Sequence, residues 1–306
     1  MPSIIIPARN SETYTSNCLE TALYSVSRLN LRCEFILIDD ASDKGENILD
    51  VFSRFRAKAQ DHQFKVVRTR MRQHYSGVFS IGLHLSTLDP ILFISNDMFV
   101  TPHFLKTLHS VSRLSDAFGI VRGTSNFVDT HPEHEVTPPE HPKDYAAVAE
   151  FSSKRMEMFG NQYTEDEVLS GDAILIKRSL VQKIGVLDLR FFGYFGDIDY
   201  GMRSQLAGFK LICAKGAWLH HEGGGHVKRE AEKDHTTVEE RRKDRMALVD
   251  AAYQEFRRKW NFEHPADYPS NPKQLPLREI ARANRARVPL KVELPPALIS
   301  DGLEFY

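Results

Sequence analysis

Residues 170–225 read SGDAILIKRSLVQKIGVLDLRFFGYFGDIDYGMRSQLAGFKLICAKGAWLHHEGGG. Two carboxylates, Asp197 and Asp199, follow an aromatic turn, and two adjacent imidazoles, His220 and His221, precede a glycine run. A carboxylate can take a proton from a hydroxyl, and a carboxylate with an imidazole can hold a divalent cation. At a helix start, residues two apart point to different sides, so Asp197 and Asp199 are not expected to work as one dyad. One is expected to face a pocket as a general base, and the other to cap the helix or sit at its positive end. Phe191, Phe192, Tyr194 and Phe195 would shield such a base from water and raise its pKa. Without the histidines, the same pattern reads as two capping acids over core aromatics. Adjacent strand residues point to opposite faces, so at most one of His220 and His221 reaches the pocket. The glycines at 223–225 would let backbone N–H groups approach a phosphate, and His226, Lys228 and Arg229 would add cationic contacts to a diphosphate.

Other chemistry-bearing groups fall at the ends of apolar runs. Strands are expected at 3–7, 34–39, 64–68 and 90–94. Helices are expected at 11–29, capped by Ser11, at 45–59 and at 76–86. This alternation predicts a parallel sheet covered by helices on both faces, with ligands beyond the carboxyl ends of its strands. Asp97 stands at one such end and suits Mg²⁺ or Mn²⁺, which take one or two carboxylates and leave positions for substrate phosphates. Alone, it reads as a turn residue before a helix near Pro102. Asp39 and Asp40 repel each other, so one is expected to face a partner, such as the imide N–H of uracil or thymine. The plainer alternative is that one caps the next helix and the other is solvated. Arg9 and Asn10 either contact a base or phosphate or form a simple turn. Residues 129–144 (DTHPEHEVTPPEHPKD) carry Pro and His without periodicity and read as a mobile surface loop. A charged helix is expected at 236–260, with Val238, Met246, Val249, Tyr253, Phe256 and Trp260 as an apolar stripe that could join two chains. Beyond 261 proline recurs, and the tail is expected to drape over the core.

The composition excludes several classes. The chain has 306 residues, of which 42% are hydrophobic and 26% charged, and a net charge of −1, so no global field draws it to nucleic acid or anionic lipid. No apolar run reaches the length of a membrane span. The opening MPSIIIPARN has no basic lead and too short an apolar patch for a signal peptide. Cys18, Cys33 and Cys213 lack metal-type spacing and read as reduced, buried thiols, so a cytoplasmic location is expected.

Five blocks together resemble the inverting family 2 glycosyltransferases: SIIIPARN, EFILIDDAS, LFISNDMFVTPHFL, the segment from SGDAILIKRS to QLAGFKL, and AWLHHEGGG. Ser-Asn-Asp at 95–97 is close to an Asn-Asn-Asp variant whose members often act on surface polysaccharides, including rhamnose transfer. The resemblance implies a GT-A fold, a Rossmann-like α/β architecture with a central, mostly parallel sheet flanked by helices. It implies a catalytic domain at 1–225, with a nucleotide half at 1–100 and an acceptor half at 101–225, and a C-terminal helical and extended appendage at 226–306. Asp40, Pro7, Arg9 and Asn96 would line the nucleotide pocket. Asp97 and His220 would hold Mn²⁺ or Mg²⁺, with His221 as the second choice. Asp197 would be the base, and Tyr194, Gly196 and Asp199 would meet the acceptor. The donor would be a nucleoside diphosphate sugar, UDP or dTDP before GDP, and the acceptor a glycan or glycoconjugate. A homodimer through the C-terminal region and peripheral attachment to a membrane fit the same picture. Three departures stand out: Arg9 replaces a frequent aromatic, Ser95 and Asn96 replace frequent carboxylates, and Gly196 replaces a frequent Glu. The alternatives are a non-catalytic sugar- or nucleotide-binding relative and a sugar nucleotidyltransferase. IPARNSE lacks the Gly-rich basic loop that a nucleotidyltransferase would need.

Overall fold

The computed structural model describes residues 2–128, 131–222, 237–263 and 274–306. The segment containing Gly223, His226, Lys228 and Arg229, whose phosphate contacts the sequence suggests, lies outside the described residues, as does Asp129.

Four short apolar runs form the first strands: β1 (Ser3–Ala8), β2 (Glu34–Asp39), β3 (Gln63–Thr69) and β4 (Ile91–Ile94). They pair in parallel in the order β3-β2-β1-β4. Side chains alternate across them. Ile4, Ile6, Phe35 and Leu37 enter one core with α1 (Glu12–Arg28), α2 (Ile48–Lys58) and α4 (Pro102–Ser112). Ile5, Ile36 and Ile38 enter the other with α3 (His74–Leu85) and α6 (Arg178–Ile184). Apolar residues on both faces are what a doubly covered sheet requires.

The second half departs from the parallel expectation. β8 (Ala173–Ile176) is antiparallel to β4 and to β6 (Phe118–Ser125), while β6 runs parallel to β9 (Lys210–His221). β5 (Met98–Phe99) and β7 (Tyr163–Asp166) each pair antiparallel with β9. The sheet is therefore mixed. Its far edge is closed by β10 (Leu303–Phe305), antiparallel to β3, so the Pro-rich tail contributes a strand to the sheet as well as covering it.

A third core joins the aromatic turn to the C-terminal region. Phe191, Phe195, Ile198 and Met202 pack against Tyr253, Phe256 and Trp260 of α8 (Val238–Trp260). The lower half of the expected apolar stripe is thus buried within its own chain. Thr237 and Glu240 form a capping box that starts α8. Ser11 precedes α1 as expected, but in the left-handed region (φ 61°) and with no side-chain cap. The 131–144 segment is anchored rather than loose: the Val136 N–H donates to the Ser125 carbonyl (2.7 Å) and Trp218 Nε1–H to the Val136 carbonyl (2.8 Å). Among the described residues, no helix is long and apolar enough to cross a membrane, and all three cysteines are buried and free.

Candidate active site

Two strand-end loops are laced together beyond β1 and β2. Arg9 donates to the carbonyls of Asp40 (2.9 Å) and Ala41 and pairs with Asp43 (2.8 Å). The Asn10 amide donates to Asp43 (3.0 Å), and its backbone N–H to Ser42 Oγ (2.9 Å). Arg9 and Asn10 thus shape the loop rim through contacts within the chain. Pro7, half-buried near the end of β1, lies beside Ile38 of β2.

Asp39 is fully buried, bound by Arg68 Nη1 (2.6 Å) and the Ser42 N–H (2.9 Å). Asp40 receives the N–H groups of Gln73 (2.6 Å) and His74 (3.0 Å) and the Thr69 hydroxyl (3.1 Å). It therefore caps the start of α3, and no side-chain oxygen from the N-cap residue Gln73 does so. Burial pushes its pKa up, against the pull of these donors. Neither acid is the freely solvated member that the plainer sequence reading allowed.

Asp97 lies between β4 and β5, and the pairing of Met98 with His221 and of Phe99 with His220 decides which histidine it meets. His221 Nε2 lies 3.3 Å from Asp97 Oδ2. Its Nδ1 lies 3.3 Å from the Phe127 carbonyl and 3.8 Å from Asp172 Oδ2. Asn126 clamps the His221 backbone from both sides, at 2.7 and 2.8 Å. Burial acts to lower the His221 pKa, but the Asp97 carboxylate outweighs it, helped by Asp172, and lifts it to about 9. His220 points the other way, among Phe99, Trp218 and His141, with burial lowering its pKa. Strand alternation thus brings His221, the second choice, to Asp97 and turns His220, the first choice, away from it. Asn96 donates to Thr15 Oγ (2.9 Å) and fastens the end of β4 to α1.

Asp197 sits in the first turn of α7 (Gly196–Leu206). The N–H groups of Gly171 (3.2 Å) and Ile198 (2.9 Å) donate to its carboxylate. Burial nonetheless raises its pKa to about 6, and nearby Asp172 adds to the rise. Tyr75 donates its hydroxyl to the Gly171 carbonyl (2.9 Å), and a side chain at 171 would overlap that hydroxyl. A side chain at 196 would likewise overlap Ser76 Oγ, which is why glycine stands there. Gly196 is buried and can offer an acceptor only backbone. Phe195, just before it, holds φ at 65°, a conformation that costs about 1–3 kcal/mol and recurs at functional sites. Tyr194 is half-buried against the C-terminal core.

Asp199, expected to meet the acceptor, faces the protein interior. It is fully buried, bound by Arg203 (2.8 Å), Trp260 Nε1–H (3.0 Å) and Lys259 (2.5 Å). Lys259 also meets Asp188 (2.9 Å), which Arg190 holds from outside (2.6 Å). Helix geometry explains the difference: residues two apart on α7 face opposite directions, Asp197 toward Gly171 and Asp199 toward α8.

Asp97, His221, Asp172 and Asp197 thus form one continuous series across the ends of β4, β8 and β9, with Asp40 joined to it through the 73–75 backbone and Tyr75. The sequence reading missed Asp172, Gly171 and Tyr75. Ser-Gly-Asp ahead of a strand was a usable sign for the first two, whereas nothing in the sequence marks Tyr75. A void of about 10 Å³ beside Asp172, bordered by Arg122 and Ser125, is far smaller than a typical ligand pocket.

Solved structures support the architecture. A mannosyltransferase from Pyrobaculum calidifontis, PcManGT, in complex with GDP-Man and Mn²⁺, superposes with a TM-score of 0.55 at 16% identity, covering 97% of this chain and 77% of that one. GalNAc-T7 with UDP, GalNAc and Mn²⁺ gives 0.53 at 18% identity, covering 72% of this chain and 43% of that one. S. aureus TarS 1–349 in complex with UDP gives 0.51 at 16% identity, covering 82% of this chain and 64% of that one. No curated protein is close enough in sequence to count as a match. At these identities the likeness shows the fold, which is that of GT-A nucleotide-sugar transferases. Residues 3–185, more than half of the sequence, match the pattern described as Glycosyl transferase family 2, and the chain belongs to that family.

Proposed function

We propose that the chain moves a sugar from a nucleoside diphosphate to an acceptor hydroxyl with inversion, Asp197 acting as general base. The observation that carries this reading is the Asp197 carboxylate, with its pKa raised to about 6 and joined through Gly171 and Asp172 to the His221–Asp97 pair. A base with a pKa near the working pH is both ionised and able to take a proton. Asp197 accepts the proton of the acceptor hydroxyl as its oxygen bonds to the anomeric carbon. The bond from that carbon to the diphosphate oxygen breaks, and a single displacement from the opposite face inverts the configuration.

Asp97 and His221 fit a divalent cation such as Mn²⁺ or Mg²⁺. Their oxygen and nitrogen face each other at 3.3 Å, and the other ring nitrogen of His221 lies against a carbonyl and a carboxylate, the usual outer support of a ligating imidazole. A cation held there would supply positive charge to the departing diphosphate. Asp40 Oδ2 receives one donor, His74 N–H, and retains acceptor capacity that suits the imide N–H of uracil or thymine. A glycan or glycoconjugate acceptor would approach past Tyr194. Contact between two chains would use the first part of α8, where Met246 and Leu248 are exposed.

The test is nucleoside diphosphate release from a panel of donor sugars with Asp197→Asn. Turnover should fall by about 10²–10⁴-fold, the usual worth of a positioned base, with nucleotide affinity retained. Undiminished turnover would remove Asp197 as the base.

A further inference from the structure

We propose that His131, His134 and Asp166 form a second divalent-cation site, of zinc type, separate from Asp97 and His221. All three side chains are buried, and their candidate ligand atoms lie within 4.8 Å of one another. His134 Nε2 is 2.8 Å from Asp166 Oδ1. The two imidazoles stack nearly parallel, 5.2 Å apart at 11°. Local structure explains the stacking. Pro132–His134 is a single 3₁₀ turn, and residues three apart in such a turn eclipse, bringing both rings to one side.

Donor chemistry sets the ion class. Two imidazoles and one carboxylate suit Zn²⁺, or Co²⁺ as its spectroscopic substitute, whereas Mg²⁺ prefers oxygen ligands. Burial argues in the same direction. A carboxylate withdrawn from water needs compensating charge, and a cation shared with two imidazoles supplies it. Three protein ligands leave one coordination position for water.

The site ties together parts of the chain that are distant in sequence. Asp166 ends β7, and its carbonyl accepts from Gln205 of α7 (3.3 Å). His134 precedes Val136, which is bound to the end of β6 and to Trp218 of β9. An ion here would therefore clamp the segment after β6 to the β7–α7 side of the molecule. This proposal is independent of the sugar-transfer reading, because its readouts are metal content and melting.

The experiment uses the tag-free full chain, with Zn²⁺ and Co²⁺ as probes, in wild type and in Asp97→Asn. After gel filtration both proteins should retain one equivalent of Zn²⁺, and Asp166→Asn and His134→Gln should lose it. At a hundredfold excess over Kd, Zn²⁺ should raise the melting temperature by about 4 °C in wild type and Asp97→Asn, and Mg²⁺ should not. The Co²⁺ form of wild type should show the visible bands of a four-coordinate ion. No Zn²⁺ retained in wild type or Asp97→Asn overturns the proposal, as does full retention in Asp166→Asn and His134→Gln. If those two variants do not fold, the Co²⁺ spectrum decides, and the absence of four-coordinate bands overturns the site.

Discussion

Replacing Asp197 with Asn should raise the melting temperature at pH 7.5 and lower it at pH 4. The folded protein lifts the pKa of this carboxyl from 3.8 to about 6, mainly by burial. Between about pH 4 and pH 6 the folded state keeps a proton that the unfolded chain has released. Stability therefore falls as pH rises through that window and levels off above it. Two pH units correspond to roughly 3 kcal/mol, at about 1.4 kcal/mol per unit. Asparagine carries no charge and avoids this cost. It also brings one oxygen where the carboxylate meets two N–H donors, from Gly171 and Ile198, a loss of about 1–2 kcal/mol. The net effect is a gain of roughly 1 kcal/mol at pH 7.5. At pH 4, where the wild-type carboxyl is protonated, only the lost hydrogen bonding remains, a deficit of about 1–2 kcal/mol.

For a chain of 306 residues, unfolding entropy near 2.1 cal/mol/K per residue gives roughly 0.6 kcal/mol per degree. The expected shifts are then about +2 °C at pH 7.5 and −2 to −3 °C at pH 4. Melting curves of both proteins from pH 4 to 8 measure the difference directly, and it should change sign between pH 4 and 6. The same ionisation should govern the acid limb of kcat/KM in wild type, with activity falling tenfold per unit below about pH 6. A melting difference that stays constant with pH would refute the argument, because it would mean that Asp197 titrates alike in the folded and unfolded chain.

Three further outcomes follow from the geometry. His221→Ala should abolish any Mn²⁺-dependent tightening of nucleoside diphosphate binding, read by calorimetry, whereas His220→Ala should keep it; the reverse result would reassign the ligand. Lys259→Met leaves Asp188 and Asp199 without their shared cation and should cost about 3–5 kcal/mol, a fall of roughly 5–8 °C in melting temperature. Burial opposes ionisation of Asp188, but Arg190 and Lys259 hold its pKa well below the ordinary carboxylate range, so the stability it contributes is present at neutral pH and is lost in acid. The Lys259→Met deficit should accordingly shrink as pH falls below about 4, which melts in acid buffers would check. Across a panel of nucleoside diphosphates with Mn²⁺, UDP and dTDP should raise the melting temperature more than GDP, and a larger rise with GDP would sink the assignment of Asp40 to an imide.

The first hundred residues of the fold were legible because their signals are local. The runs at 3–7, 34–39 and 90–94 are apolar on both faces, and each ends at a polar cluster where the strand leaves the sheet. The rest was less so. β8 carries the same kind of apolar run, Ala173–Ile176, yet is antiparallel to β4, and direction is set by connection path rather than by composition. β10 is three residues long and stands in the sheet only because β3 leaves an open edge for it. The 131–134 segment read as a loose loop because its histidines lack periodicity. A single 3₁₀ turn is too short to show any, and the carboxylate that meets His134, Asp166 at the end of β7, comes more than thirty residues later.

The two residue pairs at the site differ in an instructive way. For His220 and His221, alternation dictates that one faces Asp97, but the parity has to be counted from the pairing with β5. β9 is buried on both faces, and its register against β6 jumps from Cys213 to Trp218, so no hydrophobic alternation carries the count along the strand. For Asp197 and Asp199, helical geometry separates the two acids at once, yet the partners that decide their roles lie far off in sequence. Asp199 is claimed by Lys259 and Trp260 on one oxygen and by Arg203 on the other. Asp197 has no such cation among its contacts, only N–H groups and a neighbouring carboxylate. One acid therefore anchors α7 to α8 through its bound partners, and the other is held where its proton can come and go. For a helix that carries the proposed base, that division matters, since the anchored acid holds the first turn in place while the other titrates.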